Sequence, residues 1–175
     1  PDFSVMNENP LYMPDMEAAK KASAYLEECM KACDSSGGII ACTVHGLPAG
    51  IGETVFEKLD ARLAHAVMSI GAVKGFEIGD GFRAAYAKGS ENNDAFRMKD
   101  GKPVKKTNHS GGVLGGMSDG SEIFFKAAIK ATPSIASMQE TVNRNGEEIE
   151  ISIHGRHDPV IVPRAVVVVE SMAAN

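Results

Sequence analysis

The chain has 175 residues, 43% of them hydrophobic, and a formal net charge of −5, which suits one globular domain with a buried core and excludes a disordered chain. No apolar run reaches the ~18–20 residues of a membrane span, the first nine residues hold neither a basic region nor an apolar signal core, and an acidic balance without a basic stripe argues against nucleic acid as a partner. Cys29, Cys33 and Cys42 are odd in number and lack the paired spacing of a zinc site, so they read as buried free thiols of a reducing compartment, with no metal.

Taken in order, Pro1 to Pro14 is an extended lead-in. Asp15 offers an N-cap, Glu17 suits the first turn, and Met16, Ala19, Ser23, Leu26, Met30 and Cys33 recur at three and four, which predicts a helix over 15–33. Ile39 to His45 is rich in β-branched residues and predicts a strand. After the loop Gly46 to Gly52, Thr54 and Glu57 form a capping-box pattern, and Phe56, Leu59, Leu63, Val67 and Ile70 mark the apolar face of a second helix that Gly71 ends. His65 falls on its polar side. Strand, glycine loop and helix invite a dinucleotide-site reading, but Val55 replaces the third glycine of that fingerprint and Pro48 lengthens the turn, which argues against it.

Val73 to Ile78 predicts a strand, broken at Gly79-Asp80-Gly81, with Phe82 to Ala87 as its partner. Gly89 to Ser110 reads as a long polar loop, with Lys102-Pro103-Val104-Lys105-Lys106 at a solvated tip. Glu122 to Ala131 is a strand. Asn145-Gly146 is a strong hairpin turn between strands at 141–144 and 147–153. The apolar tail from Val160 to Ala174 lies between strand and helix, and its small residues with Glu170 and Met172 favour helix. Hairpin-linked strands dominate, so the expected class is α+β, a largely antiparallel sheet covered by helices. The start without Met and the abrupt stop at Asn175 read as a fragment.

Three loops stand out chemically. Gly111-Gly112-Val113-Leu114-Gly115-Gly116 lets backbone approach a ligand and lines up N–H groups for an anion. Lys130-Ala131-Thr132-Pro133-Ser134 supplies one cation and two hydroxyls within five positions. Gly155-Arg156-His157-Asp158-Pro159 adds a guanidinium and a carboxylate. The expectation is that one pocket collects all three; for each alone, ordinary loop punctuation is the plainer reading.

In this order the motifs resemble the C-terminal half of the chorismate synthase family. The resemblance runs from about Met13 to Met172 and rests on Gly46-Leu47-Pro48-Ala49-Gly50-Ile51-Gly52-Glu53, on the stretch from Met68 to Phe82, on Thr107 to Gly116, and on Gly155 to Pro159. It implies a single domain over residues 1–175, half of the family's β-α-β sandwich. It implies a cytoplasmic lyase that converts 5-enolpyruvylshikimate 3-phosphate to chorismate by 1,4-elimination of phosphate, with reduced FMN returned unchanged and a homotetramer as the assembly. NADPH enters as the source of reducing equivalents, on the enzyme itself or through a separate reductase.

Residue by residue, the resemblance places FMN contacts at Gly71, Ala72 and Gly115, along Lys130-Ala131-Thr132-Pro133-Ser134, and at Arg156, and gives Asp158 a part in proton handling. For Asp158 the alternative is an N-cap of the helix after Pro159. The family's catalytic histidines and its arginine-rich patch belong to an N-terminal half that this chain does not contain, and Pro163 departs from the apolar residue expected there. The chain alone is therefore expected to be inactive. The competing reading is a non-catalytic flavin- or nucleotide-binding module.

Overall fold

The computed structural model describes residues 2–155 and 158–175. In chain order the elements are α1 (Met16–Lys31), β1 (Gly38–Val44), α2 (Leu59–Met68), β2 (Val73–Ile78), α3 (Gly89–Asn92), β3 (Phe96–Lys99), β4 (Lys102–Lys105), β5 (Val113–Leu114), β6 (Met117–Ser118), β7 (Ile123–Ile129), β8 (Gln139–Val142), β9 (Glu148–Ile151) and α4 (Val162–Ala174). The chain divides into two compact units, residues 1–38 with 129–166, and residues 39–128 with 167–175. Helices and antiparallel strands share the chain, as the sequence leads one to expect. No helix among the described residues is long and apolar enough to cross a membrane.

In the first unit, Asp15 caps α1 as expected, its carboxylate accepting the N–H groups of Glu17 and Ala18. The buried positions of α1 are Ala19 and Cys29, whereas Met30 and Cys33 are exposed, so the buried-thiol expectation holds for Cys29 and fails for Cys33. The helix ends at Lys31, and Cys33 leaves it in the left-handed conformation at φ 57°. Asp34 N–H donates to the Cys29 carbonyl and Cys33 N–H to that of Met30, the Schellman arrangement, which turns Cys33 off the packed face. At Gly37 an added Cβ would lie 2.4 Å from the Ile129 carbonyl oxygen, so two backbone segments meet there. The strands β8 and β9 pair antiparallel, with Gly146 N–H donating to the Asn143 carbonyl across the turn.

The second unit is built on a three-stranded sheet of order β1-β7-β2. Alternate residues of β7, Ile123, Phe125 and Ala127, are buried and form the core with Ile40, Val73, Leu63 and Val67 of α2, and Val169 of α4. Phe76 stacks on Phe125 with ring centroids 5.3 Å apart. Full burial of each large apolar side chain contributes about 1.5–3 kcal/mol.

Three local expectations for this unit fail. The second helix starts at Leu59 instead of Thr54: Thr54 makes no side-chain cap, Val55–Glu57 form a single 3-10 turn, Lys58 is non-helical at ψ 142°, and Phe56 is 86% exposed. The Leu59 N–H instead donates to the Gly116 carbonyl at 2.8 Å, so the glycine run decides where the helix begins. Gly81–Tyr86 is a 3-10 helix and not a strand. The polar stretch 89–110 folds into α3 and an antiparallel ribbon of β3 with β4, turning on Asp100 and Gly101, both at positive φ. That Asp-Gly pair between alternating residues is a hairpin signal in the sequence itself.

Candidate functional site

The glycine run does two jobs. Gly111 and Gly112 are buried, and an added Cβ would lie 2.4 Å from the Gly79 nitrogen or the Glu122 carbonyl oxygen respectively, so these two serve backbone-on-backbone packing. Gly116 lies under the Lys58 side chain. Gly115 differs. It forms with Gly116 the two-residue turn of the β5–β6 hairpin, both at positive φ, it is exposed, and no described residue lies within 4 Å of where its Cβ would be. Of the four glycines, Gly115 is the one open to a ligand. Gly71 is likewise exposed with open space around it, and Ala72 follows at φ 71°, in the left-handed region that a side chain rarely adopts, where α2 turns into β2.

The run is held by a charged cluster whose lysine, Lys105, the sequence reading placed on a solvated tip. Lys105 is 3% exposed, between Asp94 at 8% and Asp119 at 7%, and its ammonium pairs with both carboxylates, at 3.4 Å to Asp94. It also donates to Ser110 Oγ at 2.7 Å. Asp94 accepts from the N–H groups of His109 and Ser110 and from the hydroxyls of Thr107 and Ser110, at 2.8–3.0 Å. Asp119 accepts from Ser121 N–H, and its own N–H donates to the Gly112 carbonyl. Asp94 thus fixes the segment leading into the run, Asp119 the segment leaving it, and Lys105 joins them. Burial pushes the Asp94 carboxyl up, but those hydrogen bonds overcome it and hold the group well below the ordinary carboxylate range; burial and the Lys105 and Ser121 donors act the same way on Asp119.

In the first unit, the carbonyl of Thr132 accepts from Ser35 Oγ at 2.6 Å and that of Pro133 from Gln139 Nε2 at 3.2 Å, which fixes the backbone of Lys130-Ala131-Thr132-Pro133-Ser134. Thr132 Oγ1 is buried and has no hydrogen-bond partner among the described residues. A buried hydroxyl left so costs about 1–3 kcal/mol, an expense that an incoming acceptor would remove. Lys130 is exposed and Ser134 half-buried. Asp158 makes a two-point ion pair with Arg164, at 2.8 and 3.2 Å. It is not the helix cap: α4 begins at Val162, with the Ile161 carbonyl accepting from Arg164 and Ala165. Arg156 and His157 lie outside the described residues.

The structure therefore sets Thr132 beside Ser35 and Asp158 beside Arg164 in the first unit, and Gly71, Ala72 and Gly115 on two open turns in the second. Besides the Lys105 cluster, sequence reasoning missed Arg164, whose partner six residues upstream lies across a turn that no helical spacing predicts.

The family model for chorismate synthase matches residues 2–175. A chorismate synthase of Agathobacter rectalis is 69% identical over 166 residues, covering 95% of this chain and 45% of the relative. One from Archaeoglobus fulgidus is 55% identical over 173 residues, covering 98% of this chain and 48% of the relative. A crystal structure of chorismate synthase superposes with a TM-score of 0.79 at 29% identity, covering 98% of this chain and 44% of that one. The chain spans about half the length of the curated relatives it matches.

Proposed function

The chain belongs to the chorismate synthase family, and from that membership we propose that it forms, as one domain, the flavin-side half of a lyase. That lyase converts 5-enolpyruvylshikimate 3-phosphate to chorismate and phosphate, and works as a cytoplasmic homotetramer with NADPH as the ultimate reductant. The observation that carries the cofactor reading is Thr132 Oγ1, buried and without a partner among the described residues, in a loop that also holds Lys130 and Ser134. Such a donor set fits the phosphate or ring oxygens of FMN. By the family resemblance, the residues that would hold the cofactor are Gly71, Ala72, Gly115, Lys130, Ala131, Thr132, Pro133, Ser134 and Arg156. Reduced flavin, when bound, supplies the transient electron density that loss of phosphate from the ring requires.

The remaining work belongs to the chain's own groups. Arg164 occupies one lone pair on each Asp158 oxygen, which fixes the carboxylate plane and leaves acceptor capacity on both atoms. Asp158 is then an oriented acceptor for a proton released during the elimination. Thr132 presents a donor whose backbone is fixed through Ser35, so little reorganisation accompanies binding.

The substrate carries two carboxylates and a phosphate, and each unmade charge-assisted hydrogen bond forfeits roughly 1.5–3 kcal/mol. The 175 residues alone are therefore expected to show no turnover in anaerobic incubation with dithionite-reduced FMN and substrate, read at the chorismate absorbance. A full-length form containing this chain should turn over, Asp158→Asn should lower its kcat, and Thr132→Val should weaken FMN binding about tenfold. Turnover by the 175 residues alone would overturn the division of labour. Unchanged FMN affinity in Thr132→Val would overturn the cofactor assignment.

A further inference from the structure

Two exposed ribbons carry charges in an arrangement that disfavours each of them alone. In the β3–β4 ribbon, Lys99 lies directly opposite Lys102 and Arg97 opposite Val104, so Arg97, Lys99, Lys102 and Val104 share one face. In the β8–β9 ribbon, Glu140 lies directly opposite Glu150 and Val142 opposite Glu148, so Glu140, Val142, Glu148 and Glu150 share one face. Each face thus holds three like charges and one valine, with one like-charged pair in direct register.

Like charges directly opposite destabilise an antiparallel pair, and a lone two-stranded ribbon is marginal to begin with. Among the described residues none of these six charged side chains takes part in an ion pair. All six are exposed, each ribbon is a separate two-stranded sheet, and both strands of each keep a free edge. The cationic face is also held outward: Lys105, on the opposite face of its ribbon, is buried against Asp94 and Asp119.

We propose that these ribbons are the two sides of one contact between copies of this chain, the Arg97/Lys99/Lys102 face of one copy meeting the Glu140/Glu148/Glu150 face of a second. The match is one of sign, count and register. Lys99 and Lys102 meet the paired carboxylates of Glu140 and Glu150, Arg97 takes Glu148 with its two-pronged donor, and Val104 and Val142 fill the remaining quarter of each face. A second copy brings the acidic ribbon with it, matched to the cationic one in sign and in number of charges. The inference is independent of the cofactor reading, since neither ribbon contains a residue assigned to FMN.

Charge exchange tests it. Variant one, Lys99→Glu/Lys102→Glu, makes both ribbons acidic; variant two, Glu140→Lys/Glu150→Lys, makes both basic. Analytical ultracentrifugation at low ionic strength should show the wild type associating, with association lost between about 20 mM and about 500 mM salt as screening shortens the field. Each variant alone should self-associate at least about tenfold more weakly, and an equimolar mixture of the two should associate again. Restoration in the mixture shows both to be folded. Self-association of either variant at wild-type strength, or a mixture that stays as dissociated as its parts while both keep the wild-type circular dichroism and melting profile, overturns the proposal.

Discussion

Replacing Lys105 by Met keeps most of the side chain's length and removes its charge, and the structure decides which carboxylate suffers. Asp94 keeps four neutral donors, from Thr107, His109 and Ser110, whereas among the described residues Asp119 keeps Ser121 alone. The stranded charge is therefore that of Asp119, 7% exposed. Removing one partner of a buried ion pair costs about 3–5 kcal/mol, a large share of a typical domain's stability. Adding Asp119→Asn removes the stranded charge, so Lys105→Met/Asp119→Asn should fall short of the sum of the single losses by about 1–3 kcal/mol.

The pH dependence carries a sign. In the wild type both carboxyls sit below their unfolded values, so the stability they contribute is complete above about pH 4 and is lost as pH falls from there. In Lys105→Met, burial of Asp119 is no longer opposed by the cation, so its carboxyl titrates at a higher pH than in the wild type. The gap between wild type and variant should be widest at neutral pH and narrow on acidification. Urea unfolding followed by circular dichroism, with the slope against denaturant checked for constancy, measures all three proteins. A cost below about 1 kcal/mol at neutral pH, or a gap that does not narrow in acid, would refute the reasoning.

Three other predictions test the remaining geometry. Gly79→Ala should abolish folding of the second unit or cost more than about 3 kcal/mol, because the residue sits at φ 57° and an added Cβ would lie 2.1 Å from the His109 carbonyl oxygen; a melting temperature near wild type would contradict it. With a disulfide-exchange reagent at mild alkaline pH, Cys33 should react first as the exposed thiol, while Cys42, whose pKa is raised by burial and by Glu170, should lag; mass mapping of the modified cysteine checks the order. In a full-length form, Arg164→Ala should lower kcat while changing stability by less than about 1 kcal/mol, since the guanidinium is largely exposed and acts through the orientation of Asp158; recovery with Arg164→Lys would be partial because one ammonium cannot make both contacts, and full recovery would count against the positioning role.

What the sequence determined by itself is what neighbours within one turn or one ladder step decide. Asp15 with Glu17 sets the start of α1, the apolar run Ile123–Ile129, broken only by Lys126, sets β7, and Asn145-Gly146 sets the β8–β9 turn, because each depends on residues within a few positions of one another. The family motifs were legible for the same reason, being contiguous. The tertiary structure decided whatever hangs on a distant partner. Thr54 and Glu57 spell a helix start, yet the Gly116 carbonyl, 57 residues after Leu59 in the chain, takes the first N–H and moves the start to Leu59. The Gly111–Gly116 run reads as one anion cradle, yet contact with Gly79, Glu122 and Lys58 assigns three of its four glycines to packing and leaves Gly115 open. Lys105 reads as one of a row of solvated lysines; Asp94 and Asp119, 11 residues before it and 14 after, bring it inside, because a buried ammonium is tolerable only where two carboxylates and a hydroxyl already wait for it.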